Sequence, residues 1–146
     1  MSLKLEHRLG IQAPAEAIWD VIADISGWPR WNPLYPEADG VLRMGSRLTL
    51  KLALDGQAPR VINPTIIDWV PNEQILWRLT MAGGLVKSTR YMEIEKLGET
   101  ACIFSNGELF EGVLGPTIAR RMRPAIRAGF AAMGEAVKEQ VLRRVS

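Results

Sequence analysis

Apolar and polar residues alternate without a break from Leu3 to Ile11. Leu3, Leu5, His7, Leu9 and Ile11 share one parity, and Lys4, Glu6, Arg8 and Gly10 the other. A period of two sustained over that length predicts a half-buried strand. Ala13-Pro14-Ala15-Glu16 then changes the rhythm. Pro14 suits the first helical position and Glu16 the positive end of the helix dipole. Ala17, Ile18, Val21 and Ile22 supply the buried stripe of a helix reaching to about residue 24. In the stretch DISGWPRWNPLYP that follows, Gly27, Pro29, Pro33 and Pro36 forbid a long helix, so one short helical turn carrying Trp28 and Trp31 is expected.

From about residue 38 to 112 the pattern is that of an antiparallel meander. Leu48, Leu50, Leu52 and Leu54 alternate through residues 46–55, and Asp55-Gly56 marks a turn. Residues 58–70 form the next strand, where Pro64 lacks a ladder donor and implies an edge position or a bulge. After the Pro71-Asn72 turn, Ile75, Trp77, Leu79 and Met81 alternate up to Gly83-Gly84. Residues 86–96 and 101–111 are two further strands around the turn Lys96-Leu97-Gly98-Glu99.

Beyond Gly115-Pro116 the period changes to that of a helix. Ile118, Met122, Ile126, Phe130, Met133, Val137 and Val141 recur at steps of three and four, predicting one long amphipathic helix. Pro124 should kink it or mark its effective start. Strand, two short helices, a run of strands and a long last helix describe an α+β fold. A curved antiparallel sheet of about seven strands would wrap its apolar face on the C-terminal helix, with residues 1–146 as one domain.

Such a grip cannot always fill the space between sheet and helix, and a cavity of roughly a few hundred Å³ is then a typical ligand site. The inward parity nominates Leu48, Leu50, Leu52, Trp77, Leu79, Met92, Ile94, Phe104 and Phe110 from the sheet as its lining. Met122, Ile126, Phe130 and Met133 are nominated from the helix. For any one of these, plain core is the commoner role, so the case for a cavity rests on the architecture and not on a single residue. Polar residues on the same parity are more informative: His7, Arg90, Asn106 and Glu108. A buried carboxylate needs a partner, and Arg90 on the neighbouring strand is the candidate for Glu108. Glu108, Arg90 and His7 are the candidates for acid–base chemistry, while a structural ion pair and a satisfied histidine are the plain alternative. Asn32 before Pro33 is expected to turn or cap the backbone, and Met44, Met81 and Gly83-Gly84 to form a movable rim.

Composition excludes several classes. Charged residues make up 23% and apolar ones 47%, as in an ordinary globular protein. No apolar run approaches the roughly 18 residues that span a bilayer. The N-terminus lacks the apolar stretch of a signal peptide, so the expected compartment is the cytoplasm. The lone Cys102 cannot form an internal disulfide, and one cysteine with one histidine makes no zinc pattern, so neither metal nor cofactor is expected. The net charge of +2 is uneven: Pro116–Ser146 holds seven basic residues against Glu135 and Glu139. That basic helix reads as a solvated face or as a contact to an anionic membrane. It has no aromatic interleaving that would suggest nucleic acid.

Five segments in order resemble one superfamily. Ile11-Gln12-Ala13-Pro14-Ala15-Glu16-Ala17-Ile18-Trp19 resembles the entry "APAEVVW", and Trp28-Pro29-Arg30-Trp31-Asn32-Pro33 the corner "W..WNP". Pro64 to Trp77 resembles "P.V....P...L.W", Glu108 to Gly112 "E.F.G", and Gly129 to Met133 the start of "GFEAMN", with Gly134 standing where asparagine is usual. These are motifs of the SRPBCC superfamily, which takes in START-related lipid carriers, birch-pollen-allergen-type proteins and polyketide cyclase/dehydrase-like proteins. The resemblance implies the helix-grip fold. It also implies binding or carriage of a small hydrophobic molecule (a lipid, an isoprenoid or a polyketide-like ring system) by a monomer or homodimer. A cyclase, dehydratase or aromatase using the same cavity is the second possibility, and a module binding an anionic membrane or a protein the third.

Overall fold

The computed structural model describes residues 2–145. Strand β1 (Leu3–Ile11) is followed by helix α1 (Ala15–Ile22) and a 3-10 turn (Ile25–Arg30). Then come β2 (Glu37–Asp39), β3 (Thr49–Leu52), β4 (Arg60–Ile62), β5 (Thr65–Val70), β6 (Gln74–Met81), β7 (Val86–Gly98) and β8 (Ala101–Glu111). Helices α2 (Gly115–Arg121) and α3 (Arg123–Val145) close the chain. The sheet-and-long-helix architecture expected from the pattern is present, with eight strands among the described residues where about seven were expected.

The continuous meander needs correction. The strands form a five-stranded sheet in the order β1-β8-β7-β6-β5 and a three-stranded sheet β2-β3-β4. The break falls at Asn63-Pro64, inside the stretch expected to be one strand. Pro64 has no N–H to donate, but its carbonyl accepts from Leu48 N at 2.9 Å. Residues 45–48 run along the free edge of β5, with Gly45 N on Ile66 O and Ile66 N on Ser46 O. The strand expected over 46–55 is regular only from Thr49 to Leu52, so Leu54 lies in the loop beyond it.

The single last helix is also corrected. It breaks at Met122 (φ −100°, ψ 9°), and α3 starts at Arg123 with Pro124 in its first turn. A helix running through would press the Pro124 ring against the Arg120 carbonyl. α3 buries Ile126, Phe130, Met133, Gly134, Val137 and Val141 and packs on β1, β8 and α1.

Gly107 on β8 leaves room for the strands on either side of it to touch. It stands opposite both Glu6 of β1 and Tyr91 of β7. With no side chain in between, the Tyr91 hydroxyl reaches across β8 and donates to Glu6 Oε2. A Cβ on Gly107 would lie 2.3 Å from that hydroxyl and 2.6 Å from Leu5 O. Gly107→Ala should therefore destabilise the fold by roughly 1–3 kcal/mol in urea unfolding, because rigid backbone has to move. An unchanged midpoint would show that β8 shifts freely.

Among the described residues no helix is long and apolar enough to cross a membrane. None of the His, Cys, Asp and Glu side chains described gather in threes that could hold a metal ion.

Candidate functional site

A partly open cavity lies between the sheets and the α2–α3 corner. β6, β7 and β8 bring Trp77, Leu79, Met81, Arg90, Glu108 and Phe110 to it, because inward residues recur at every second position. The helices bring Ile118, Met122, Ile126 and Phe130. The small sheet and its loops add Leu52, Leu54, Arg60 and Ile62, and the segment after the 3-10 turn adds Leu34 and Tyr35.

Of the residues nominated from sequence, Leu52, Trp77, Leu79, Arg90, Glu108, Phe110, Met122, Ile126 and Phe130 line this cavity. Leu48, Leu50, Met92, Ile94, Phe104, Asn106 and Met133 are buried but face other core side chains. His7 is also away from the cavity. It lies beneath α3, where a Cβ on Gly134 would come within 2.9 Å of its Nδ1. Sequence reasoning missed Leu34, Tyr35, Leu54, Arg60, Ile62, Met81 and Ile118 as lining. Leu54 and Met81 shared the alternating parity of their strands and Ile118 began the helix stripe, while Leu34, Tyr35, Arg60 and Ile62 carried no signal.

The volume is about 50 Å³, not the few hundred expected. Four large side chains account for the difference. Trp28 stacks on Tyr35 at 5.5 Å and approaches Trp77 at 6.0 Å, Tyr35 meets Trp77 edge-on at 5.7 Å, and Phe130 lies beneath the Arg90 guanidinium at 4.3 Å. Asn32 holds this cluster in place: its Oδ1 accepts from the backbone N–H of Leu34 and of Tyr35. A second hollow of about 100 Å³, lined by Leu52, Leu54, Gln57, Ala58, Arg60 and Met122, adjoins the first. Leu52, Leu54, Arg60 and Met122 line both hollows and form the partition between them.

The polar wall differs from the expected ion pair. Arg90 and Glu108 are cross-strand partners, yet Arg90 is bonded elsewhere. Its Nε donates to Tyr35 Oη at 3.0 Å, Nη1 to the carbonyls of Tyr91 and Gly107, and Nη2 to Asn106 Oδ1 at 2.9 Å and Met133 Sδ at 3.3 Å. All five N–H groups are thus used on neutral acceptors, and three aromatic faces (Tyr35, Trp77, Phe130) surround the charge. The guanidinium is 1% exposed. Its field reaches Glu108 without a contact.

Burial pushes the Glu108 carboxyl above its ordinary value, while the neighbouring Ser88 hydroxyl and the charges of Arg90 and Arg60 pull it down. Burial likewise raises the Tyr35 phenol, with the Arg90 charge opposing it, so the hydroxyl keeps its proton at neutral pH. That hydroxyl accepts from Arg90 and has no acceptor for its own proton among the described residues. Tyr35 O–H, the Glu108 carboxyl and the Arg60 guanidinium are therefore the polar groups left to meet a bound molecule. Cys102 is buried on β8 with its thiol raised by burial, which makes it a poor nucleophile.

A family model described as polyketide cyclase / dehydrase and lipid transport matches residues 2–138. No curated protein matches the sequence significantly. Among solved structures, the chain is similar to the Zhui aromatase/cyclase from Streptomyces sp. R1128, with a TM-score of 0.80 and 21% identity over 100% of this chain and 97% of that one. It is similar to norcoclaurine synthase from Thalictrum flavum in complex with dopamine and hydroxybenzaldehyde, with a TM-score of 0.75 and 19% identity over 100% and 90%. A START superfamily protein from Mycobacterium smegmatis has a TM-score of 0.74 and 20% identity over 97% and 98%. At these identities the likeness is one of fold.

Proposed function

The chain belongs to the polyketide cyclase / dehydrase and lipid transport family, and from its cavity we propose that it binds or carries a small, mostly apolar molecule between the sheet and α3. The observation that carries this reading is a mostly apolar hollow into which unspent polar groups, Tyr35 and Glu108 among them, converge. Residues 1–146 act as one unit in it. Apolar walls supply affinity, and a few convergent polar groups set orientation. At about 50 Å³ the cavity has room for water but not for a ring system, so binding requires the partition to move. Met122, at the α2–α3 break, and Leu52 and Leu54, near the end of a short strand, are placed to yield. Methionine adapts its shape at little cost. Merging the two hollows gives the ligand its space.

A cyclase- or dehydratase-type reaction in the same cavity is the second reading, favoured by the Glu108 carboxyl, which burial makes hold its proton more tightly than an ordinary carboxyl does. Glu108→Gln separates the two. A carrier keeps its ligand with altered affinity, whereas an enzyme of this type loses turnover.

The same variant has a stability signature. A carboxyl raised in the folded chain holds its proton more tightly there than in the unfolded chain. The folded state is favoured below the unfolded value, and that advantage is lost as pH rises through the folded value. Glu108→Gln should thus leave Tm unchanged near about pH 4 and raise it by about 2–4 °C near neutral pH. A variant less stable than the parent at neutral pH would mean that the ionised carboxylate is a favourable part of the fold.

A further inference from the structure

A separate open groove of about 680 Å³ runs along β4, β5 and β6, where the small sheet leaves the large one. Arg47, Arg60 and Arg78 line it with Thr65 and Thr80, and among the described residues no carboxylate does. Arg47 pairs with Thr65, which in turn stands opposite Arg78, so the three side chains form a row across neighbouring strands. The two arginines start about 10 Å apart, two strand spacings, with a hydroxyl between them. Neither makes an ion pair among the described residues. Among the described residues, the one hydrogen bond of the Arg60 side chain goes to the Met81 sulfur, at 3.4 Å. Three cations facing one concavity repel each other, and an anion between them relieves that repulsion. Arginine forks and threonine hydroxyls match phosphate oxygens, and the 10 Å span suits two linked phosphates better than one carboxylate.

The groove adjoins the ligand cavity. Arg60, Ile62, Leu79 and Met81 line both, and the Arg60–Met81 contact closes the slot between β4 and the end of β6. We infer that the groove receives the phosphate or diphosphate end of the same molecule whose apolar body enters the cavity through this slot. The inference rests on the cavity being a ligand site.

Three probes test it by tryptophan fluorescence or calorimetry at low salt: farnesol, farnesyl diphosphate and inorganic pyrophosphate. The intact chain should bind farnesyl diphosphate about tenfold or more tightly than farnesol, with pyrophosphate competing. Arg47→Ala and Arg78→Ala, both at exposed positions, should each cost the diphosphate about fivefold or less, and together remove its advantage while farnesol binding stays unchanged. Farnesol bound without any gain from the diphosphate would overturn this inference and leave the cavity reading intact. Pyrophosphate bound without farnesol would overturn both. Capture of the intact chain, but not the double variant, by phosphatidic acid vesicles, with no diphosphate advantage in solution, would assign the arginines to a membrane surface and overturn the inference.

Discussion

Arg90→Ala should lower the thermal midpoint by roughly 10 °C, a loss of about 3–5 kcal/mol, the largest effect expected of any substitution in the cavity wall. The cause is not a broken ion pair. Removing the guanidinium strands Asn106 Oδ1, the Gly107 and Tyr91 carbonyls and the Tyr35 oxygen in a buried region, and leaves a void over Phe130. Each stranded acceptor costs on the order of 1–3 kcal/mol, partly recovered by local relaxation. Arg90→Lys should recover only part of the loss, since an ammonium has three donors where five are used. Adding Glu108→Gln to Arg90→Ala should rescue little, because Glu108 is not the partner of Arg90. A large rescue, read by calorimetry, would restore the ion-pair view.

Trp28→Ala should cost about 3–5 kcal/mol and also weaken ligand binding. Trp28 is 0% exposed, donates through Nε1 to Ile22 O at 3.2 Å and forms the floor on which Tyr35 stacks. Its loss removes packing and frees the Tyr35 ring from the position in which it meets Arg90. Trp28→Phe keeps an aromatic floor but not the hydrogen bond, so it should lose less than half as much stability and hold more of the binding. Urea unfolding and ligand titration of both variants check this. Equal loss in the two would place the effect in the hydrogen bond rather than in the stacking.

How much of this was legible in the sequence follows from which interactions are local. The alternation of Leu3 to Ile11, the helix stripe of Ile126, Phe130, Met133, Val137 and Val141, and the turns depend on near neighbours, and they led to the strands and the last helix. The inward parity also brought Arg90 and Glu108 to one wall. The split between the two sheets was less visible: Pro64 signalled an irregularity, but the pairing of residues 45–48 with β5 is a long-range outcome. The helix break was half visible, since Pro124 allowed either a kink or a start. Tyr35 could not be placed at all, because it sits in an irregular stretch whose path depends on the Asn32 turn and the stack on Trp28. The choice by Arg90 of Tyr35, Asn106 and two carbonyls over Glu108 likewise depends on distances that parity does not encode. The small cavity has the same origin, since filling is decided by rotamers.

The central claim is that the hollow between the sheet and α3 holds a small apolar molecule. The most direct measurement is native mass spectrometry of the chain purified gently from its own host, alongside Leu79→Trp, which fills the cavity from β6. A bound small molecule on the intact chain, released on denaturation and absent from Leu79→Trp, is the predicted result. An intact chain at its bare mass that takes up no apolar molecule when supplied in excess would contradict it.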